Sequence, residues 1–381
     1  MSSVAVVLLC DVEVPQADGF VNRNALLIRA LRRHHDVTVI GLAPRAERIL
    51  PDVDLPIVQP SGFDVHPRRF THLVRLARLI AGRAGFDPLE RRLRRVIRGI
   101  GPDMVILMTY RRVELVRVVR DLAPTVLFAE ERAGGGEPRP GGGLRQRLWA
   151  AYDDLRRRAA GGIPLVCVVS PGEVEWARAR FSDPVDVVPH SFDLAHWTES
   201  VSPDPASGVF DVLTIGNFLL ERNAQGLASI IEHLEARGWP EDLRVRVVSA
   251  SGYHEVLQGR QGEGVILEGR VEDPRPLYRS SQATLVPAFE AVGIKNGIIQ
   301  GWATQCPVIT TPASAATVGG ADGVDVLVGE GPEEIAAILE GLRDAARLES
   351  LVARGRKHLE DEFSDEAHDQ AVESLVRRIA P

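Results

Sequence analysis

Glu290, Gly293 and Lys295 lie close together in ATLVPAFEAVGIKNGIIQGWATQCPVITT (283–311), and together they suit the handling of a phosphorylated leaving group. The acid can face a polar substrate, the glycine lets backbone N–H groups turn toward an anion, and the lysine adds a mobile point charge. Lys295 departs from the habit of the chain, whose 45 basic residues include only two lysines, Lys295 and Lys357. A lysine in the first turn of a helix opposes the dipole, so its presence there points to a phosphate partner. An ordinary solvated lysine is the other reading.

The elements that must position these groups follow from residue type. Ala283 to Val286 is a short apolar run rich in β-formers and stopped by Pro287, which predicts a buried parallel strand. Gly293 marks a turn. From Lys295 the pattern predicts a helix with Ile298, Ile299, Trp302 and Ala303 on one face, stopped before Pro307, and Val308 to Thr311 returns as a strand. In open α/β sheets ligands bind beyond the carboxyl ends of the strands, where such a helix start would lie.

The same alternation runs through the chain twice. In the first half, apolar runs at 4–10, 37–42, 104–108, 125–129, 165–170 and 185–189 predict strands, with a helix over Asn22 to Arg33. In the second half the runs are 210–216, 243–249, 265–269, 283–287, 307–311 and 325–328. They are nearly continuous rather than alternating, as parallel strands covered on both faces should be. TESVSPDPAS (198–207) reads as a linker. The expected fold is therefore α/β, with two doubly wound, Rossmann-like domains facing a cleft: residues 1–197 and 208–364. The last stretch, 365–381, with a helix over Glu366 to Ile379, is expected to pack back on the first domain.

Composition narrows the function classes. The chain has 381 residues, 45% hydrophobic and 25% charged, enough for two separate cores. A net charge of −7 and a pI near 5.9 argue against bulk nucleic-acid binding. Arginine in place of lysine, with abundant Ala, Gly and Val, fits the codon usage of a high-GC bacterial genome. Cys10, Cys167 and Cys306 are scattered without metal-ligand spacing, which suggests a reducing cytoplasm. Val4 to Cys10 is too short for a signal peptide, and no run reaches the roughly 20 apolar residues of a membrane helix.

Three motifs in order carry a family resemblance: VVPHSFDLAHW (187–197), VLTIGNFLLERNAQGL (212–227) and LEGRVEDPRPLYRSSQATLVPAFEAVGIKNGIIQGWATQCPVITT (267–311). Together they resemble the nucleotide-binding half of GT-B glycosyltransferases, in particular the retaining enzymes of glycosyltransferase family 4. The first half is similar only in topology and in the glycine loop PQADGFVNRNALL after the first strand. The resemblance implies a hexosyl-type glycosyltransferase that moves a sugar from a nucleotide-diphosphate donor to an acceptor hydroxyl, retaining and without a metal or other cofactor. Polysaccharide, glycolipid or natural-product biosynthesis would be its setting. By the same resemblance Gly216 and Asn217 would admit the donor diphosphate, Arg222 and Lys295 would neutralise it, and Glu290 would face the donor sugar. Ala291, Val292, Gly293, Ile294 and Asn296 would form the loop and helix start over sugar and phosphate.

Departures from the family pattern fall on the helix. Its second, ribose-binding glutamate corresponds to Gln300, ten positions after Glu290 rather than eight, and a lysine found in some members corresponds to Gly297. Asp52-Val-Asp54 has the spacing of a metal-dependent transferase but reads as a solvated loop. Strand ends of the first domain supply acceptor-side candidates: Asp18 and Gly19, Tyr110 beside Arg111, and Glu130 and Glu131, with Glu130 chosen for contact with the acceptor hydroxyl. His190 reads as a hinge residue. Residues 132–143, rich in glycine, read as a lid or an insertion. The arginine-rich segment Arg68 to Arg98 raises peripheral contact with the inner membrane face, for a lipid-linked acceptor, beside a plain cytoplasmic location. Two other readings stay open: a catalytically silent GT-B partner subunit, and a nucleotide-sugar 2-epimerase.

Overall fold

A computed structural model describes residues 2–8, 19–41, 57–58, 88–108, 113, 115–129, 151, 154–155, 157–158, 163, 165–181, 184–189, 191–202, 210–262, 264–291, 293–342 and 345–380. The chain divides into two compact units. The first comprises Met1–Val169, Val174–Ser191 and His368–Pro381, and the second Ser170–Glu173 and Phe192–Ala367.

In the first unit the strands are β1 (Ser3–Leu8), β2 (Asp36–Gly41), β3 (Ile57–Val58), β4 (Met104–Met108), β5 (Thr125–Phe128), β6 (Leu165–Val168) and β7 (Val185–Val187). They form one parallel sheet in the order β3-β2-β1-β4-β5-β6-β7. The apolar runs are continuous because each face of the sheet has its own core. Val105 and Leu107 enter one cluster, and Met104, Ile106 and Met108 enter the other. The helix Gly19–His34 begins earlier than the apolar pattern predicts and buries Leu27, Ile28, Ala30 and Leu31. The strand Ile57–Val58 was not anticipated; two residues at a sheet edge leave almost no periodic signal.

The C-terminal helix Asp365–Ile379 buries Val372, Leu375 and Val376 in the same cluster as Val4, Val6 and Leu27. Polar contacts fix its register. The Glu373 carboxylate lies 2.8 Å from His35 Nε2, and Asp369 and Arg378 pair with Arg33 and Asp186.

The second unit contains β8 (Phe210–Ile215), β9 (Leu243–Val248), β10 (Val265–Glu268), β11 (Ala283–Val286), β12 (Val308–Thr310) and β13 (Leu327–Val328). Their order is β10-β9-β8-β11-β12-β13, again parallel. The order reverses between β8 and β11, so the carboxyl ends of these two strands flank the topological switch point. β13 is shorter than the apolar run DVLV. Asp325 leaves the sheet to accept from the Ala321 amide (2.8 Å) and to meet His358 Nδ1 (2.7 Å).

Phe192–Trp197, assigned by sequence to the first domain, packs with the second unit. Asp193 caps the short helix Leu194–Thr198 by accepting from the His196 amide (3.0 Å), and Phe192, Leu194 and Trp197 join the cluster of Ile298, Ile299 and Trp302. Arg275, almost fully buried, ties this segment down by donating to the His196 carbonyl (2.6 Å) and to Asp273. That bond holds the Asp273 carboxyl below its ordinary pKa. No helix among the described residues is long and apolar enough to cross a membrane.

Candidate functional site

The site is built on the loop that leaves β11. Pro287 and Ala288 are buried, and the Ala288 carbonyl accepts two hydroxyl hydrogen bonds, from Thr311 Oγ1 (2.6 Å) and Ser314 Oγ (2.9 Å). One residue earlier the helix Glu221–Arg237 presses against the loop at Gly226, where a Cβ would lie 2.1 Å from the Pro287 carbonyl oxygen. Glu290 follows, exposed and without a hydrogen bond or ion pair among the described residues. Gly293 then takes φ +63°, the left-handed region that turns the chain toward the helix.

A Cβ at Gly293 would meet nothing, so its conformation is its only demand. Gly293→Ala is expected to cost about 1 kcal/mol and to lower the melting midpoint by roughly 2–4 °C for a domain of this size. Gly293→Asn should cost less, because asparagine tolerates the left-handed region. Paired thermal melts check both.

Lys295 is the N-cap of the helix Asn296–Thr304, half-buried, and its amide donates to Thr317 Oγ1 (3.2 Å). No side chain caps this helix start; Ile298 N donates to the Lys295 carbonyl (3.0 Å), and the Asn296 and Gly297 N–H groups and the positive dipole end face the loop. The helix lies against the sheet through two glycines. A Cβ at Gly301 would be 2.7 Å from Val308 Cγ2 and 2.8 Å from Thr284 Cγ2, and one at Gly297 would be 3.1 Å from Val286 Cγ2. The lysine found at position 297 in some family members would crowd β11 here. On the opposite side Trp302 Nε1 donates to the Asp325 carbonyl (2.8 Å), and Gln305, at φ +61°, turns the chain back toward β12.

Gln300, expected to meet a ribose, is half-buried, and its Oε1 accepts from the Tyr278 hydroxyl (2.9 Å). Burial keeps that phenol protonated well above its usual range, so it remains a donor. The position eight after Glu290 is Ile298, fully buried. The helix therefore carries no carboxylate, and the amide oxygen of Gln300 is spent on the interior.

From β8 comes the second wall. Gly216 N donates to the Val248 carbonyl (3.1 Å), Asn217 is exposed with its Oδ1 accepting from Leu219 N (3.2 Å), and Asn223 Nδ2 donates to the Asn217 carbonyl (3.0 Å). Arg222 is exposed in the first turn of Glu221–Arg237. Thus Gly216, Asn217 and Arg222 follow β8, while Glu290, Ala291, Gly293, Ile294, Lys295 and Asn296 follow β11, the strands on either side of the switch point.

Of the acceptor-side residues, Gly19 opens the helix Gly19–His34. Asp18, Tyr110, Arg111, Glu130 and Glu131 lie outside the described residues, as do Val292, His190, Asp52, Asp54 and residues 132–143. Among the described residues no group of three or more His, Cys, Asp or Glu side chains could hold a metal ion. Sequence reading passed over Gly226, Tyr278, Thr311, Ser314 and Thr317. A signal existed for one of them: Thr311-Pro312 is the pairing of an N-cap with proline at the first helical position, and Thr311 does accept from Ser314 N (3.2 Å).

Two family models match the chain. The model described as glycosyl transferase 4-like domain covers residues 18–191, and that described as glycosyl transferases group 1 covers 209–344. No curated protein matches. Among solved structures, a glycosyltransferase from Rickettsia africae superposes with a TM-score of 0.71 at 13% identity, covering 99% of this chain and 98% of its own. HepE from Anabaena in complex with UDP gives 0.70 at 13% identity, covering 99% and 100%. Sucrose-phosphate synthase from Thermosynechococcus elongatus gives 0.68 at 14%, covering 99% of each chain. At such identities these structures establish a shared fold.

Proposed function

With glycosyl transferase models matching both halves, the chain is a GT-B glycosyltransferase of family 4-like kind, and from that premise we propose how its second unit handles a nucleotide-diphosphate sugar. The observation that carries the proposal is the uncapped start of the helix Asn296–Thr304, with Lys295 at its cap and exposed Glu290 just before it, beside the switch point. The diphosphate rests on the Asn296 and Gly297 N–H groups, Lys295 and Arg222, with Gly216 and Asn217 beneath it. Glu290 faces the sugar, the backbone of Ala291–Ile294 covers it, and Gln300 offers its remaining amide N–H groups to the ribose.

The bond from the anomeric carbon to the diphosphate oxygen breaks as one forms to the acceptor oxygen. The acceptor proton passes to the departing phosphate oxygen, and the configuration is retained. Backbone N–H groups and the two cations take up the charge that develops on the leaving group, which makes a metal unnecessary. UDP-sugars are the first donors to test, because HepE holds UDP on the same fold. Asp18, Gly19, Tyr110, Glu130 and Glu131 are assigned to the acceptor, with Glu130 at its hydroxyl.

Residues 68–87 of the arginine-rich segment, with Leu73, Leu76, Leu79 and Ile80, lie outside the described residues; through the described part of the segment, contact with an anionic membrane face would be electrostatic. The helix Pro88–Ile100 buries Leu93 and Ile97 in the core and leaves Arg91, Arg95 and Arg98 exposed, so its apolar stripe is already used.

A thermal-shift panel of UDP, GDP, dTDP and ADP with their sugars tests the donor reading. At about 100 times its dissociation constant the correct nucleotide should stabilise the fold by roughly 2.7 kcal/mol. Silence across the panel would sink the assignment of the donor site. Interconversion of a donor sugar without acceptor would replace transfer by epimerisation.

A further inference from the structure

We propose that the short helix Pro312–Ala316 with its flanking threonines is a positioning bracket that sets the loop between Glu290 and Lys295 from both ends. Four hydroxyls carry it, all buried. Thr310 Oγ1 donates to the Val286 carbonyl (3.0 Å), and Thr311 Oγ1 and Ser314 Oγ both donate to the Ala288 carbonyl (2.6 and 2.9 Å). At the other end Thr317 Oγ1 accepts from the Lys295 amide (3.2 Å) while donating to the Ser314 carbonyl (2.7 Å). The loop is thus pinned two residues before Glu290 and at Lys295 itself, with its left-handed turn at Gly293 between the pins.

The arrangement does more than satisfy buried polar groups. The Ala288 carbonyl receives two hydroxyls where one would suffice, and Thr317 is the point at which the amide of the helix cap is held back toward Pro312–Ala316. Fixing that amide fixes the cap residue, and hence where the first-turn N–H groups and the Lys295 stem point. The Ala288 pin acts on the other arm, the one that bears Glu290. Preorganisation of this kind acts on catalysis without touching substrate. The inference rests on the roles assigned above to Lys295 and Glu290, and it divides the labour: Thr317 serves the diphosphate, and Ser314 serves the sugar.

Thr317→Val keeps shape and removes the acceptor, and Thr317→Ser restores it. Hydrogen exchange of the peptide spanning Gly293–Ile298 in the free protein reads the pin directly. It should accelerate in Thr317→Val and return in Thr317→Ser; unchanged exchange overturns the bracket. Affinity for UDP should then fall about five- to tenfold in the valine variant and recover in the serine variant. Ser314→Ala should leave UDP affinity near wild type and lower kcat with a UDP-sugar by a similar factor. Faster exchange in Thr317→Val with unaltered UDP affinity overturns the positioning role, provided Lys295→Ala does weaken UDP. If Lys295→Ala has no effect on UDP either, the donor-site reading itself falls, and the positioning role with it.

Discussion

Replacing Lys295 with alanine is expected to lower kcat/KM for sugar transfer by about 10²- to 10³-fold, the range seen when one preorganised group facing a developing oxyanion is removed. The lysine is half-buried at the cap of Asn296–Thr304, outside the apolar clusters, so the fold should survive the truncation. Lys295→Arg should recover only part of the loss. A guanidinium keeps the charge but spreads it over a planar fork where a compact ammonium had been placed. Initial rates at saturating and limiting donor, with a melting curve for each variant, separate lost chemistry from lost structure. A wild-type rate in Lys295→Ala would remove the group from the mechanism.

Gly226→Ala sets two effects of opposite sign against each other. In the interior of Glu221–Arg237 alanine is favoured over glycine by about 1 kcal/mol. Against this, the added methyl would sit 2.1 Å from the carbonyl oxygen of Pro287, a backbone atom that cannot rotate away. The helix cannot retreat either, because Ala224, Leu227, Ala228, Ile230 and Ile231 are buried on the same core. The clash wins, and a net loss of about 3 kcal/mol is expected, lowering the midpoint by roughly 6–12 °C. What yields is the loop that leads to Glu290, so turnover should also fall at temperatures where the variant remains folded. A variant with an unchanged midpoint would show that the helix and the loop do not meet as described.

The strands of both sheets were legible because buried parallel strands announce themselves as unbroken apolar runs, and the Glu290–Lys295 loop was legible because its residues stand out by type. Ile57–Val58 was too short to leave a period. Phe192–Trp197 went to the wrong unit in sequence because nothing local distinguishes an apolar residue that packs backward along the chain from one that packs forward. Gly226 was hidden for a similar reason: its demand comes from a carbonyl on another element, and a glycine inside a helical pattern reads only as a weak helix former. The hydroxyls of Thr311, Ser314 and Thr317 left no mark in the sequence as loop contacts, since their partners lie more than twenty positions upstream. Gln300 was visible as a departure, but its partner, the hydroxyl of Tyr278, could be seen only in three dimensions.

The route of the chain through its two units has a consequence for biosynthesis. Residues 192–367 form nearly all of the second unit as one continuous stretch, whereas the first unit is closed by His368–Pro381. Until those residues have been made, Val4, Val6, Leu27 and their neighbours lack the cover of Val372, Leu375 and Val376. Nascent domains ordinarily mature from the N-terminus onward. Here the later unit can mature first, and the earlier one waits with an apolar face open, the stage at which a ribosome-associated chaperone would be most needed.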